Sequence, residues 1–262
     1  MTAASDAAPF SCAHEWDGAE YDRLADPQAR WGRQVLGRLE LAGDETVLDA
    51  GCGSGRVTEE LLDRLPDGRV VALDASSSML EEARRRLAPD QERVDFVQAD
   101  LLDLAPGTLG ERYPVDAVFS TATFHWVTDH DRLFANLASV LGPGGRLVAQ
   151  CGAEGNIAGL LAAVRSVGVE RAGRWLYASA DETVSRLEHA GFVDVAVWTN
   201  PEPTWFDDAE RLVDFLSTVI LREHLTTLAP QERRPFVEQV VAAMPEPVVD
   251  YVRLNIVART RG

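Results

Sequence analysis

The densest chemistry in the sequence lies in ten residues, Val47-Leu-Asp-Ala-Gly-Cys-Gly-Ser-Gly-Arg56. Gly51, Gly53 and Gly55 follow a short apolar run and open a helix-like stretch. Without a Cβ, such a backbone turns tightly and comes close to a ligand lying across the carboxyl end of a strand. Asp74 ends the next apolar run, 23 positions after Gly51, where a carboxylate can accept bonds from both hydroxyls of a ribose. A dinucleotide loop asks for a small residue three positions past its second glycine. That position is Arg56, which fits poorly with close helix packing over a pyrophosphate. Asp49, two residues before the first glycine, suits a ligand that carries an ammonium group rather than an anion.

A second group follows a later apolar run, in Ser120-Thr-Ala-Thr-Phe-His-Trp126. An unshifted imidazole titrates near ~6.5, so His125 is the candidate general base; the alternative is a histidine that packs and hydrogen-bonds beside the ligand. His130, before a helical stretch, reads as a polar residue at a helix start. Trp126 is either a wall of an acceptor pocket or core. Trp16 and Tyr21 can offer aromatic contact area with a polar handle; Trp31 reads as packing. Farther on, Trp205, Phe206, Phe215, Leu216, Val219 and Ile220 form an apolar face that either roofs a pocket or belongs to the core. Arg222, just beyond, could hold a carboxylate bidentately or lie on the surface. Glu81, Glu82 and Arg84–Arg86 read as a solvated helix face.

Positioning these residues requires strands that alternate with helices. Apolar runs at 46–49, 69–74, 94–97, 115–120 and 146–150 read as strands, with helices at 56–65, 78–87 and 131–141 between them. The helix before Gly142-Pro-Gly-Gly145 meets a strong stop signal. Trp16–Leu41 reads as helical. After Gly152 come a helix to about Val167, a second at 181–190 and a strand at 193–198. Residues 203–247 look helical. The strand 249–259 closes the chain, with Val252, Leu254, Ile256 and Ala258 at spacing two. This alternation predicts an α/β fold with a parallel sheet covered on both faces.

All 25 basic residues are Arg, and the formal net charge is -17. Such a balance argues against a nucleic-acid surface, and the absence of Lys removes Schiff-base chemistry. Cys12, Cys52 and Cys151 are too widely spaced for a disulfide framework or a metal site. The start of the chain has no basic and apolar signal pattern, and no apolar run approaches the ~18 residues of a membrane span. The expectation is a cytoplasmic protein with no metal, nucleic-acid or membrane partner.

Further motifs narrow the reading. Ala99-Asp100-Leu101, the Ser120–Trp126 stretch and Leu141-Gly-Pro-Gly-Gly-Arg-Leu147 follow the glycine loop in order. With them, residues 46–152 resemble the core of class I S-adenosylmethionine-dependent methyltransferases, whose cofactor supplies the ammonium that Asp49 suits. Trp16-Asp-Gly-Ala-Glu-Tyr21, Phe124-His-Trp126 and Tyr251–Ala258 resemble the trans-aconitate methyltransferase-like branch. The resemblance implies a Rossmann-like, mostly parallel sheet with an antiparallel last strand, a helical N-terminal segment and a helical insertion before that strand. It divides the chain into a tail and cap helix (1–45), a cofactor-binding core (46–152) and a C-terminal half (153–262) with a substrate lid at 203–247.

The resemblance also implies cofactor contacts from Asp49, Gly51, Cys52, Gly53, Gly55, Asp74, Ala75, Met79, Asp100, Leu101, Thr121 and Tyr21. It assigns acceptor contacts to Trp16, Trp126, Phe215, Val219 and Arg222, with His125 as the catalytic group. The expected reaction is methyl transfer to a small molecule, at oxygen of a carboxylate or hydroxyl. Carbon or nitrogen acceptors remain open, as does a non-catalytic module that only binds the cofactor. The segment after the fourth strand lacks the Asn/Asp-Pro-Pro-aromatic motif of nucleobase-methylating relatives.

Overall fold

The computed structural model describes residues 26–170 and 173–262. Trp16 and Tyr21 lie outside the described residues. Helix α1 (Asp26–Leu36) leads into β1 (Thr46–Ala50), α2 (Arg56–Leu62), β2 (Arg69–Asp74), α3 (Ser77–Arg86) and β3 (Val94–Gln98). Then come β4 (Val115–Thr121), α4 (His130–Val140), β5 (Leu141–Gly152), α5 (Ala158–Ser166), α6 (Ala180–His189) and β6 (Val193–Pro201). The chain closes through β7 (Thr204–Trp205), α7 (Ala209–Phe215), α8 (Pro230–Ala243), β8 (Val248–Val249) and β9 (Val252–Arg259).

Seven strands form one sheet in the order β3-β2-β1-β4-β5-β9-β6. The pairs β1–β2, β1–β4, β2–β3 and β4–β5 are parallel, and β9 runs antiparallel between β5 and β6. Strand order reverses between β1 and β4, so a crevice opens at their carboxyl ends, where open α/β sheets bind ligands. The central strands are buried on both faces. Val47, Val70, Phe119 and Val148 meet Val35, Leu39, Leu61 and Leu80 on one side. Leu48, Leu73, Val118 and Leu254 meet Phe124, Phe134, Leu137 and Leu187 on the other. A third apolar cluster joins Trp31, Leu160, Phe215, Leu216, Val237 and Tyr251 above the crevice.

Local chemistry explains the element ends. Ser76 Oγ accepts from Met79 N at the start of α3, and Asp129 Oδ1 from Arg132 N at the start of α4. These bonds satisfy amides that a helix leaves unpaired at its N-terminus. At α6, Ser179 and Glu182 form a reciprocal capping pair,.

Four expectations need correction. Helix α1 ends at Leu36 rather than Leu41: the chain turns at Gly37, and Leu39 drops fully buried into the sheet face. The Gly142–Gly145 stretch does not separate helix from strand, because β5 begins at Leu141 and runs through it. Val115 pairs with Leu141 and Ala117 with Arg146, so the glycines bulge out, and Gly145 O takes a bond from Thr260 N at 2.9 Å. The 203–247 segment is not purely helical, since β7 pairs with β8 to tie its two ends together. Consequently the last long strand starts at Val252, not at 249.

Gly55 shows how the glycine loop meets its helix. It sits at φ 79° as the residue before α2. A Cβ there would lie 3.2 Å from Ala83 on α3 and from Leu87 just past its end, so the glycine serves both left-handed backbone and close helix contact. Gly55→Ala is expected to lower stability by about 1–2 kcal/mol from backbone strain alone. Urea unfolding checks this, and an unchanged midpoint would show that the loop adapts.

Candidate active site

The loop after β1 is fastened to the end of β2. Gly51 N and Cys52 N donate to Leu73 O at 2.8 and 3.0 Å. Gly53 N donates to Asp74 Oδ2 and Ser76 N to Asp74 Oδ1, both at 2.9 Å. Asp74 thereby organises the loop it faces, a role that spacing alone did not disclose. Across the crevice, Thr123 Oγ1 donates to Gly51 O at 3.2 Å, and a Cβ on Gly51 would come within 2.3 Å of that side chain. By contrast, a Cβ on Gly53 would meet nothing within 4 Å. Open space therefore lies over Gly53, where a ligand must approach the backbone.

One cleft brings together Asp49, Gly51, Cys52, Gly53, Asp74, Ala75, Met79, Asp100, Leu101, Thr121, His125, Trp126 and Val219. Three expected residues are not among its lining. Gly55 packs against α3. Phe215 is 2% exposed and faces Phe206, with ring centroids 5.1 Å apart, inside the third apolar cluster. Arg222 opens a single helical turn, Arg222–Leu225, beyond the lining residues. Val219 reaches the cleft because residues Leu216–Ile220 form a π-helical turn, closed by Leu221 N donating to Leu216 O at 2.7 Å. Such turns re-aim side chains within a helix.

The electrostatics differ between the two ends. Asp49 is 3% exposed, and its carboxylate accepts from Thr58 Oγ1 at 2.7 Å. Burial pushes its carboxyl up to about 7, opposed by that hydrogen bond and assisted by the charge of Asp74. Such a carboxyl gains from a cation placed beside it. The open face of Gly53, the acidic end of β2 and this buried carboxyl all fit the ribose and ammonium of S-adenosylmethionine.

At the other end, His125 is 8% exposed, and Gly152 N donates to its Nδ1 at 3.4 Å. Burial, then the charges of Arg253 and His130, hold the imidazole well below its usual value. With Nδ1 accepting, the neutral ring carries its proton on Nε2. His130, at the start of α4, is itself buried, with Nε2 2.9 Å from Phe124 O.

Sequence reasoning missed the far wall: Asn156, Trp175, Tyr177, Tyr251 and Arg253. Arg253 is 2% exposed, opposite Gly152 in the β5–β9 register. Its Nε donates to Gln150 Oε1 at 3.4 Å, and its guanidinium lies 4.3 Å from the Trp31 ring centroid. The signal was present in Arg253 and Asn255, polar residues interleaved with the apolar ones of the final strand.

A family model described as a methyltransferase domain matches residues 47–145. Among solved structures, Haemonchus contortus phosphoethanolamine N-methyltransferase 2, in complex with phosphomonomethylethanolamine and S-adenosylhomocysteine, has a similar fold. It aligns with a TM-score of 0.62 at 18% identity, over 93% of this chain and 56% of that one. The sheet order, glycine loop and cleft are those of a class I S-adenosylmethionine-dependent methyltransferase, and the chain is an enzyme of that class. Trans-aconitate 2-methyltransferase of Azoarcus sp. (strain BH72) is 33% identical over 230 residues, covering 83% of this chain and 84% of that relative. Its counterpart in Methylobacterium radiotolerans is 32% identical over 247 residues, covering 88% and 89%. The chain belongs to the trans-aconitate 2-methyltransferase family.

Two predictions concern the cofactor end. Asp74→Asn should weaken S-adenosylmethionine binding by about 1.5–3 kcal/mol, the range for hydrogen bonds to a charged group; calorimetry with unchanged affinity would remove the assignment. For Asp49, a cation must displace the proton held below about pH 7. Affinity should therefore fall as pH drops below that value, by up to about tenfold per unit for one proton. Asp49→Asn should abolish this slope, read from proton release in two buffers of different ionisation enthalpy.

Proposed function

We propose that this enzyme methylates a carboxylate oxygen of a small organic acid, giving a methyl ester. The observation that carries this reading is the buried guanidinium of Arg253 on the wall of the cleft that also holds the glycine loop. A guanidinium is suited to hold a carboxylate through paired N–H donors. The relatives' name, trans-aconitate 2-methyltransferase, denotes action on an organic acid and supports the same class.

S-adenosylmethionine, held by Asp49, Gly53, Asp74 and the Asp100–Leu101 segment, supplies a methyl group already activated on a sulfonium. The chain's own task is alignment and exclusion of water, and positioning of this kind can contribute about 7–11 kcal/mol. Arg253 fixes one carboxylate oxygen, while His125 offers Nε2–H as a donor beside it. A carboxylate is anionic at neutral pH and needs no base. The depressed basicity of His125 agrees, because an imidazole kept neutral beside a guanidinium is a poor proton acceptor,. A positive charge at this end also disfavours an ammonium acceptor. The Val219–Ile220 turn, reaching down from the 203–247 segment, roofs the acceptor. The acidic chain, at net charge -17, supports a small-molecule acceptor over nucleic acid. Among the described residues, no helix is long and apolar enough to cross a membrane.

Arg253→Gln should raise the KM for the acid by about 10–100-fold, the loss of a charge-assisted hydrogen bond, with cofactor affinity nearly unchanged. At saturating cofactor, the rate should stay flat from about pH 6 to 9, since His125 is already neutral there. A rate climbing about tenfold per unit through pH 6–7, and lost in His125→Gln, would instead establish a base acting on a hydroxyl.

A further inference from the structure

The guanidinium of Arg253 is held at an edge and at a face, and both lines of contact run to the same carboxylate. Along the first, Arg253 Nε donates to Gln150 Oε1 at 3.4 Å, Gln150 Nε2 to Asn255 Oδ1 at 2.8 Å, and Asn255 Nδ2 to Asn200 Oδ1 at 2.6 Å. Asn200 Nδ2 then donates to Glu202 Oε1 at 3.0 Å. Along the second, the guanidinium lies 4.3 Å from the Trp31 ring centroid, and Trp31 Nε1 donates to Glu202 Oε2 at 3.4 Å. The backbone brings the ends of this circuit together. Asn200 pairs with Arg253 in the β6–β9 register, and Glu202 N donates to Tyr251 O at 2.8 Å.

The circuit has one direction. Arginine side chains only donate and an ionised carboxylate only accepts, whereas an amide does both. Arg253 therefore requires the oxygen of Gln150, which turns the Gln150 amino group to Asn255. Arg38 Nη1, donating to Asn255 Oδ1 at 2.6 Å, demands the same orientation from the other side. Asn255 then faces Asn200 with its amino group, and the amino group of Asn200 must end on an acceptor. Glu202 meets it with one oxygen and meets the indole with the other. An amide at position 202 has one acceptor oxygen for these two donors, so either the relay or the ring loses its anchor. A guanidinium fixed at its edge by Gln150 and on its face by Trp31 keeps its fork of donors in one direction, and that direction decides how it pairs with a carboxylate. Glu202 lies outside the described lining of the cleft, so it acts through the residues it holds.

We propose that Glu202 is a positioning residue for the acceptor acid: its carboxylate sets the direction of the amide relay and the seat of Trp31, and thereby the orientation of the Arg253 guanidinium. This rests on the carboxylate reading above and deepens it by naming what aims the group that the acid meets.

The test is a double-mutant cycle read by calorimetry on the full chain, with trans-aconitate as the probe acid and S-adenosylhomocysteine present. Glu202→Gln should weaken trans-aconitate binding about threefold to tenfold, the net effect of one lost hydrogen bond, with S-adenosylhomocysteine affinity nearly unchanged. Arg253→Lys keeps the charge but has no planar fork to aim. In that background Glu202→Gln should have no further effect, the sign that the two residues act as one unit. A merely structural role would weaken binding alike in both backgrounds, or lower cofactor affinity in step. Either outcome overturns the proposal, as does unchanged trans-aconitate affinity in Glu202→Gln. Should Glu202→Gln fail to fold, Asn200→Ala cuts the relay at its last amide and must show the same dependence on Arg253. If Arg253→Gln binds trans-aconitate as tightly as wild type, or if wild type does not bind it, the carboxylate reading falls and this proposal with it. If Arg253→Gln weakens binding while Glu202→Gln does not, the positioning role alone falls.

Discussion

An arginine buried on a sheet strand carries a charge that water no longer solvates, and Arg253 sits so at 2% exposure on the reversed strand β9, between β5 and the edge strand β6. Desolvating such an ion costs about several kcal/mol unless its surroundings compensate. Here they do so with ring faces and amides. Trp31 and Tyr251 present aromatic rings to the guanidinium at 4.3 and 6.0 Å. Gln150 accepts from its Nε and in turn donates to Asn255 Oδ1 at 2.8 Å. Asn255, fully buried, also receives Arg38 at 2.6 Å and donates to Asn200 Oδ1 at 2.6 Å. This guanidinium is therefore anchored through a polar chain that crosses the sheet, to which β5, β6, β9 and the turn after α1 each contribute.

The same cation divides the cleft. Asp49, Asp74 and Asp100 gather where the parallel strands end, while the guanidinium stands on the antiparallel strand. His125 lies between these regions and stays neutral, held by Gly152 and discouraged from protonation by burial and Arg253. Carboxylates and a guanidinium are thus sorted to opposite ends of the cleft, the arrangement that the proposed pairing of a cationic cofactor with an anionic acceptor requires. Insertion of β9 between β5 and β6 produces this arrangement, since it brings position 253 level with Gly152.

The glycine-loop half of the cleft was readable from the sequence because its signals are local. A glycine loop and an acidic residue at the end of the following strand each act within a few positions of their neighbours. The sheet also announced itself, since doubly buried strands read as unbroken apolar runs. The acceptor half was less legible because it depends on contacts between distant segments. Tyr177 and Trp175 follow α5 in a stretch with no regular period, and only their docking onto His125 makes them part of the wall. Phe215 and Val219 share one helical pattern, yet the π turn sends the second to the cleft and leaves the first in the core. Arg253 was masked by its own strand, whose alternating Val252, Leu254, Ile256 and Ala258 suggested that the intervening residues faced solvent. A strand covered on both faces breaks that inference.

Gly152 also shapes how this pocket can change over evolutionary time. It donates to His125 and pairs with Arg253 through its backbone, and a side chain there would press on Tyr177 and Asn156 in one step. Divergence toward new acceptors is therefore steered away from this strand end. Trp126, Trp175 and Ile220, by contrast, reach the cleft from three separate segments. Replacing Gly152 therefore demands that Tyr177 and Asn156 move together, a constraint that a single substitution elsewhere on the wall does not carry.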